Sequence, residues 1–244
     1  MALKEYKMDL HIHTCLSPCA QSEMLPNAII RQAKGMGLDC IGICDHNSAE
    51  NVLAVRKAGA KQDIQVLGGM EICSSEEVHI LGFFDDDEAL LKMQEIVYEN
   101  LPGQNDVKYF GEQLIVDEDD KMIRSTKKLL IGSTSLSVND IVRLLGDMGG
   151  LAVASHIDRD SFSIIGQLGF IPMELTLDGV EVSWRCEPNK IASYKDHGFP
   201  LVRSSDAHFL EDIGKARTTF LLESPSFSEV AMAFGGIEGR AINI

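Results

Sequence analysis

The sequence predicts an α/β protein built on a mostly parallel sheet, open or closed into a barrel. Short apolar runs, several of them β-branched and bounded by Gly or Pro, recur along the 244 residues, and helical patterns fall between many of them. Hydrophobic residues make up 45% of the chain and charged residues 24%, the proportions of a globular protein and not of a disordered one. A single domain over 1–244 is expected, with an insertion at about 100–131.

The elements follow in order. A first strand ends in His11 and His13. Pro26, favoured at the first helical position, opens a helix with Ala28, Ile29, Ile30 and Ala33 on its apolar face. Leu38 to Cys44 forms the next strand, and Ala49 to Ala60 a helix. Strands from Ile64 to Leu67 and from Val78 to Phe84 precede a helix from Glu88 to Tyr98. Glu112 to Ile131 alternates apolar and polar residues around Asp117-Glu118-Asp119-Asp120, which reads as a β-hairpin, either a lid over the functional face or a passive decoration. After a helix from Val138 to Met148, strands are expected at Leu151 to Ala154, Gly179 to Ser183, Leu201 to Arg203 and Thr218 to Leu222. Helices are expected at Asn189 to His197 and Phe227 to Phe234.

Composition narrows the partners. A net charge of −15 is the wrong sign for gripping long nucleic acid through its phosphates, and with the acidic hairpin turn it favours a small substrate. No apolar run approaches the roughly 18 residues of a membrane span and the N-terminus lacks a signal-peptide core, so a cytoplasmic protein without membrane contact is expected. No protein partner is evident. The six cysteines read as thiols in the core or on a metal, not as disulfides.

Six of the seven histidines, His11, His13, His46, His79, His156 and His208, fall on or just after predicted strands, as do Glu71 and Asp206. In a closed β/α barrel the strand ends converge on one face, so these side chains would meet there as a metal site. Each alone has an ordinary structural explanation; the conjunction carries the inference. His197 precedes Gly198 at a helix end, where a histidine meets the helix dipole, and is assigned no metal role.

The strings Asp9-Leu10-His11-Ile12-His13-Thr14, Cys44-Asp45-His46, Gly69-Met70-Glu71, Ala154-Ser155-His156 and Ser205-Asp206-Ala207-His208 resemble, in order, the motifs of the PHP (polymerase and histidinol phosphatase) superfamily. The resemblance implies a distorted seven-stranded β/α barrel, TIM-like, with a small β-hairpin insertion, two or three divalent metals, and phosphoester hydrolysis. Carried over by position, it makes His11, His13, Glu71 and Asp206 ligands of one metal. Glu71 bridges to a second, completed by His79 and His156, and His46, His208 and Cys19 hold a third. Cys19 stands where His or Asp is commoner. As a thiolate it would favour zinc or iron over magnesium, and zinc, manganese and iron are the candidate ions; otherwise it is a buried free cysteine.

Such a centre would activate a water as hydroxide and clamp the phosphoryl oxygens of a small phosphorylated molecule, a nucleotide or other monophosphate or a short oligonucleotide end. Arg159 and Arg185 are candidates for gripping phosphate oxygens, with ion pairing to Asp158 or Asp160 as the alternative for Arg159. Asp45 is expected to orient a ligand or assist proton transfer. Two other readings compete: C–N hydrolysis as in β/α-barrel amidohydrolases, disfavoured because no strand-end lysine is evident, and a non-catalytic domain stapled by metals.

Overall fold

The computed structural model describes residues 2–244. Eleven strands occur among these residues: β1 (Lys4–Ile12), β2 (Cys40–Ile43), β3 (Gln65–Cys73), β4 (His79–Phe84), β5 (Leu114–Val116), β6 (Met122–Ser125), β7 (Leu151–Ala154), β8 (Gly179–Ser183), β9 (Leu201–Ser204), β10 (Thr218–Leu222) and β11 (Ala241–Asn243). Nine of them form one sheet in the order β11-β10-β1-β2-β3-β4-β7-β8-β9, and β5 and β6 pair separately.

The expected barrel is present, with two additions. Seven strands, β1 to β4 and β7 to β9, go round the ring. Past β9 the chain turns back on β1, where His13 N donates to Ala207 O at 2.9 Å and Ala207 N to His11 O at 3.1 Å, nearly closing it. The strand count rises from seven to nine because β10 pairs antiparallel with the first half of β1, and β11 with β10. The sheet is also less parallel than expected. β1, β2 and β3 run parallel, as do β7, β8 and β9, but β4 is antiparallel to both its neighbours. The short connection from Cys73 to His79 dictates this, since a parallel crossover needs a dozen or more residues.

That reversal positions the site. His79 is the first residue of β4, so its N-terminal end lies beside the C-terminal ends of the parallel strands. Below the rim, Leu67, Leu81, Phe83, Val153 and Val202 belong to one buried apolar cluster that fills the ring. Gly69 makes this fit: a Cβ there would lie 2.5 Å from Gly82 O and 2.8 Å from the Phe83 ring. The other face of the strands, including Ile41, Met70, Ile72, Ile80 and Val180, packs against helices in a second cluster.

The helices are set by local signals. Pro26–Gly35 carries proline in its first turn and buries Ile29, Ile30 and Ala33, and Val138–Asp147 begins with a capping box of Ser137 and Asp140. The hairpin β5–β6 docks against this layer. Asp120 Oδ1 accepts from Asn27 N at 2.9 Å, Glu118 and Asp119 pair with Lys57 and Lys61, and Arg124 pairs with Glu50. The acidic turn therefore lies against two helix ends. No helix among the described residues is long and apolar enough to cross a membrane.

Candidate metal centre

The strand ends bring together every histidine that the sequence placed at the rim. His11 Nε2 and His13 Nε2 stand 3.1 Å apart. Asp206 Oδ1 lies 3.3 Å from the first and 3.1 Å from the second, and the Glu71 oxygens lie 3.4 and 3.5 Å from them. Donors at about 2.0–2.1 Å from one ion on a tetrahedron stand roughly 3.3–3.4 Å apart, so the spacings around the two Nε2 atoms are those of ligands; His11, His13 and Glu71 form one donor group, with Asp206 beside its two imidazoles.

Proton placement supports the fit. His11 Nδ1 lies 3.0 Å from Glu181 Oε1, an acceptor, so Nδ1 carries the proton. Ser17 Oγ donates to Asp45 Oδ1 at 2.7 Å and therefore accepts from His13 Nδ1 at 2.9 Å. With both Nδ1 protons so placed, the two Nε2 atoms face each other and the carboxylates of Asp206 and Glu71 in a buried space, a donor set that fits a divalent ion; without one, the charges of Glu181, Asp206 and Glu71 overcome burial and raise the His11 imidazole well above its usual range, so that a proton holds the place. Burial holds the His13 imidazole well below its usual range, with the charges of His208 and His46 adding to it, which keeps it in the neutral ligand form.

Glu71 is the hub. Its Oε1 lies 2.9 Å from His79 Nδ1 and 3.1 Å from His156 Nε2, and its Oε2 lies 2.9 Å from His46 Nδ1. The His79 contact is short but out of line for a hydrogen bond, leaving that nitrogen without a hydrogen-bond partner, as two ligands of one ion would be. Burial alone would raise the Glu71 carboxyl, but His79, His11 and His46 hold it well below the usual carboxylate range. Three donor clusters result: His11, His13 and Glu71; His46, Glu71 and His79; and His13, His46 and His208. His46 thus reaches Glu71 as well as the third group.

Cys19 is not the buried free cysteine of the alternative reading. The residue is exposed, and its Sγ lies 3.1 Å from His46 Nε2. Burial of the sulfur pushes its thiol up, but the His46 charge and hydrogen bonds from His208 and His46 outweigh this and bring it down to about 6. Cys15, by contrast, is buried, with its thiol pushed up to about 12 by burial first and by the Asp45 charge.

Asp45 does not reach the donors. It is fully buried and accepts from Thr14 N, Thr14 Oγ1 and Ser17 Oγ at 2.7 Å each, so it acts on His13 through Ser17. Arg159 bonds Asp206 Oδ2 at 2.6 Å, and not Asp158 or Asp160. A cavity of about 210 Å³ opens over Glu71, His46, His79 and His156, and Arg159 and Phe162 line it; the Phe162 ring stacks on His79 at 4.8 Å. Arg185 lies off the donors, in a groove alongside. Asp206 and His156 hold φ of +51° and +29°, strained backbone of the kind that collects at functional sites.

Two residues escaped the sequence reading. Glu181 is fully buried in β8 and touches His11, Ser155 Oγ and His156 N. Its signal was available: a lone carboxylate inside the apolar run Gly179-Val180-Glu181-Val182-Ser183. Ser17, which orients His13, carried no signal of spacing.

The ring, its rim of imidazoles and a shared carboxylate define a metal-dependent hydrolase fold of the β/α-barrel type. A family model for the PHP domain matches residues 9–159, and one described as PHP-associated matches residues 191–235; the chain belongs to the PHP domain family. It is 24% identical over 259 residues to the uncharacterized protein YqxK of Bacillus subtilis, covering 98% of this chain and 64% of that protein. The lesion-specific endonuclease Q of Pyrococcus furiosus has a similar fold, with a TM-score of 0.73 at 18% identity, covering 98% of this chain and 58% of that one. A protein of Bifidobacterium adolescentis for which metal-dependent phosphoesterase activity has been proposed has a TM-score of 0.56 at 20% identity, covering 82% of this chain and 87% of that one. The chain thus spans less than two thirds of the length of its Bacillus relative and of the endonuclease.

The exclusion of long nucleic acid does not stand. Endonuclease Q, which shares this fold with a TM-score of 0.74 for its DNA complex, is seen with a 27-mer duplex whose abasic lesion lies at the active site. Net charge sums the whole surface, whereas a phosphate responds to the local field at the metals. The acidic turn that seemed to repel polyanions is engaged with Lys57 and Lys61.

Proposed function

We propose that this chain hydrolyses phosphoester bonds of nucleotides or nucleic-acid strands at a centre of two or three divalent ions. The observation that carries the reading is the set of facing Nε2 atoms of His11 and His13, 3.1 Å apart and flanked by Asp206 and Glu71. His11, His13, Glu71 and Asp206 would hold one ion, Glu71, His79 and His156 a second, and His46, His208 and Cys19 a third. Divalent ions supply Lewis acidity there, polarising phosphoryl oxygens and making a bound water more acidic.

The chain's own residues do the rest. Glu181 and Ser17 fix the protons on Nδ1 of His11 and His13, which aims both Nε2 atoms inward. Arg159 stands at the lip of the cavity, where its guanidinium would meet a non-bridging phosphate oxygen. Phe162 covers His79 and limits the access of bulk water. A Cys19 thiolate would favour zinc or iron over magnesium, because it is a soft donor. Nucleotide substrates are favoured over other phosphoesters by the fold shared with endonuclease Q and by the aromatic groove beside the cavity.

The test is a screen of protein loaded with Mn²⁺, Zn²⁺ or Fe²⁺ against an aryl phosphate, an aryl amide, nucleoside monophosphates and a duplex with an abasic site. Metal-dependent turnover of phosphoesters, abolished by a chelator, is expected. Turnover of the amide alone would replace this reading with C–N hydrolysis.

A further inference from the structure

We infer that the groove beside the metal cavity is a nucleotide subsite, in which a base stacks on Trp184 and a phosphate other than the scissile one meets Arg185 and Lys215. The inference rests on the proposal that the rim hydrolyses phosphoesters and adds to it a binding site for the substrate's neighbouring unit. The groove has a volume of about 840 Å³ and is continuous with the metal cavity through Arg159, Asp206 and His208, which line both. That space is ample for a nucleotide.

Its walls have the chemistry for one. The Trp184 ring carries the Arg185 guanidinium 4.9 Å and the Lys215 ammonium 5.4 Å from its centroid. Phe209, another groove residue, is 38% exposed. Aromatic surface beside cations is the usual pairing for a base and its phosphate, whereas a sugar phosphate would use the cations alone. Lys215 is paired with Asp212, but no acid pairs with Arg185 among the described residues, which leaves its charge free for an anion. Of the other acids on the walls, Asp158 is taken by Ser183 N and Oγ at 2.7 Å each and Asp206 by Arg159, which leaves Asp160 as the one acid facing the groove with Arg185 that forms no ion pair among the described residues.

The platform is held in place before any ligand arrives. Arg203 Nη2 donates to the carbonyls of Trp184 at 2.7 Å and Cys186 at 3.3 Å, while Asp158 ties down Ser183. The turn that presents Trp184 is thus fixed from both sides, and a base stacking there orders little further backbone. Stacking on a base outweighs an exposed cation–π contact, so an incoming base can displace a cation from the indole face, leaving it to meet the phosphate.

Trp184 is the chain's single tryptophan, so its fluorescence reports on this site alone. Metal-loaded protein is titrated with adenosine 3′,5′-bisphosphate, a thymidine trinucleotide, ribose 5-phosphate and inorganic phosphate. Saturable quenching by either nucleotide and none by ribose 5-phosphate or inorganic phosphate is expected. Tighter quenching by the bisphosphate identifies a small-molecule substrate, and tighter quenching by the trinucleotide a strand. Arg185→Ala should weaken the bisphosphate about tenfold; unchanged affinity in that variant would overturn the phosphate contact. Absence of quenching by both nucleotides, or equal quenching by ribose 5-phosphate, would overturn the subsite. Because fluorescence needs no turnover, hydrolysis without quenching rejects only the subsite, and quenching without hydrolysis rejects only the proposed reaction.

Discussion

Glu181 Oε1 lies 3.0 Å from Nδ1 of His11, with both side chains fully buried and 170 residues apart in sequence. A carboxylate behind a ligating imidazole fixes its tautomer and raises its basicity. Glu181→Gln should therefore lower metal affinity roughly 10- to 100-fold, the range seen when such outer partners are removed. Metal titration of the variant measures this, with circular dichroism to confirm that the barrel persists. Wild-type affinity in a folded Glu181→Gln protein would show that Glu181 is only a core carboxylate.

Cys19 gives a prediction in pH. Its thiol is depressed from 9.0 to about 6, so the stabilisation from its thiolate is fully present above the unfolded value and is lost as pH falls through about 6. The buried thiols of Cys15, Cys40 and Cys73 are instead raised, to about 12, 12 and 11, each by burial first. In metal-free protein at pH 7, iodoacetamide should modify Cys19 first, with a rate that rises through a midpoint near the same pH, and added Zn²⁺ should protect it. Mass spectrometry after brief alkylation decides the matter. Cys19→Ser should weaken the third ion and shift preference away from zinc, and Cys19→His should restore binding.

Asp9 concerns the fold and not the metals. Its carboxylate is buried and accepts from Ser205 N at 2.9 Å, Ser205 Oγ at 2.5 Å and Gly214 N at 2.9 Å, tying β1 to the loop that carries Asp206 and His208. Burial raises its carboxyl to about 6, against those same hydrogen bonds. Asp9→Asn turns an amide NH₂ towards donors and should cost about 1–3 kcal/mol. Urea denaturation of the variant beside the wild type tests it; a difference below about 0.5 kcal/mol would contradict it.

The sequence revealed what motifs and periodicity encode. His11, His13, His46, His79, His156 and His208 converge with Glu71 and Asp206 as expected, because chemistry at a strand end leaves a residue type at a recognisable spacing. β7, β8 and β10 fall at the expected residues because apolar runs end sharply at Gly, Pro or charged neighbours. Strand direction leaves no such trace. The antiparallel course of β4 is set by a connection too short to cross over, and β3 runs on through Gly68 and Gly69 to Cys73 because its partner β4 supplies the ladder. Nor could periodicity tell where the turn Asp117 to Asp120 would land, since its partners Asn27, Lys57 and Lys61 are remote in sequence.

The proposed centre turns on Glu71 joining two ions. Elemental analysis of reconstituted wild type beside Glu71→Gln tests it most directly, with circular dichroism to verify that the apolar ring still folds. Two or three divalent ions per chain are expected in the wild type, with at least one lost in the variant and a greater loss of activity than in His208→Ala. Fewer than one ion per wild-type chain, or a Glu71→Gln protein with unchanged metal content, would contradict it.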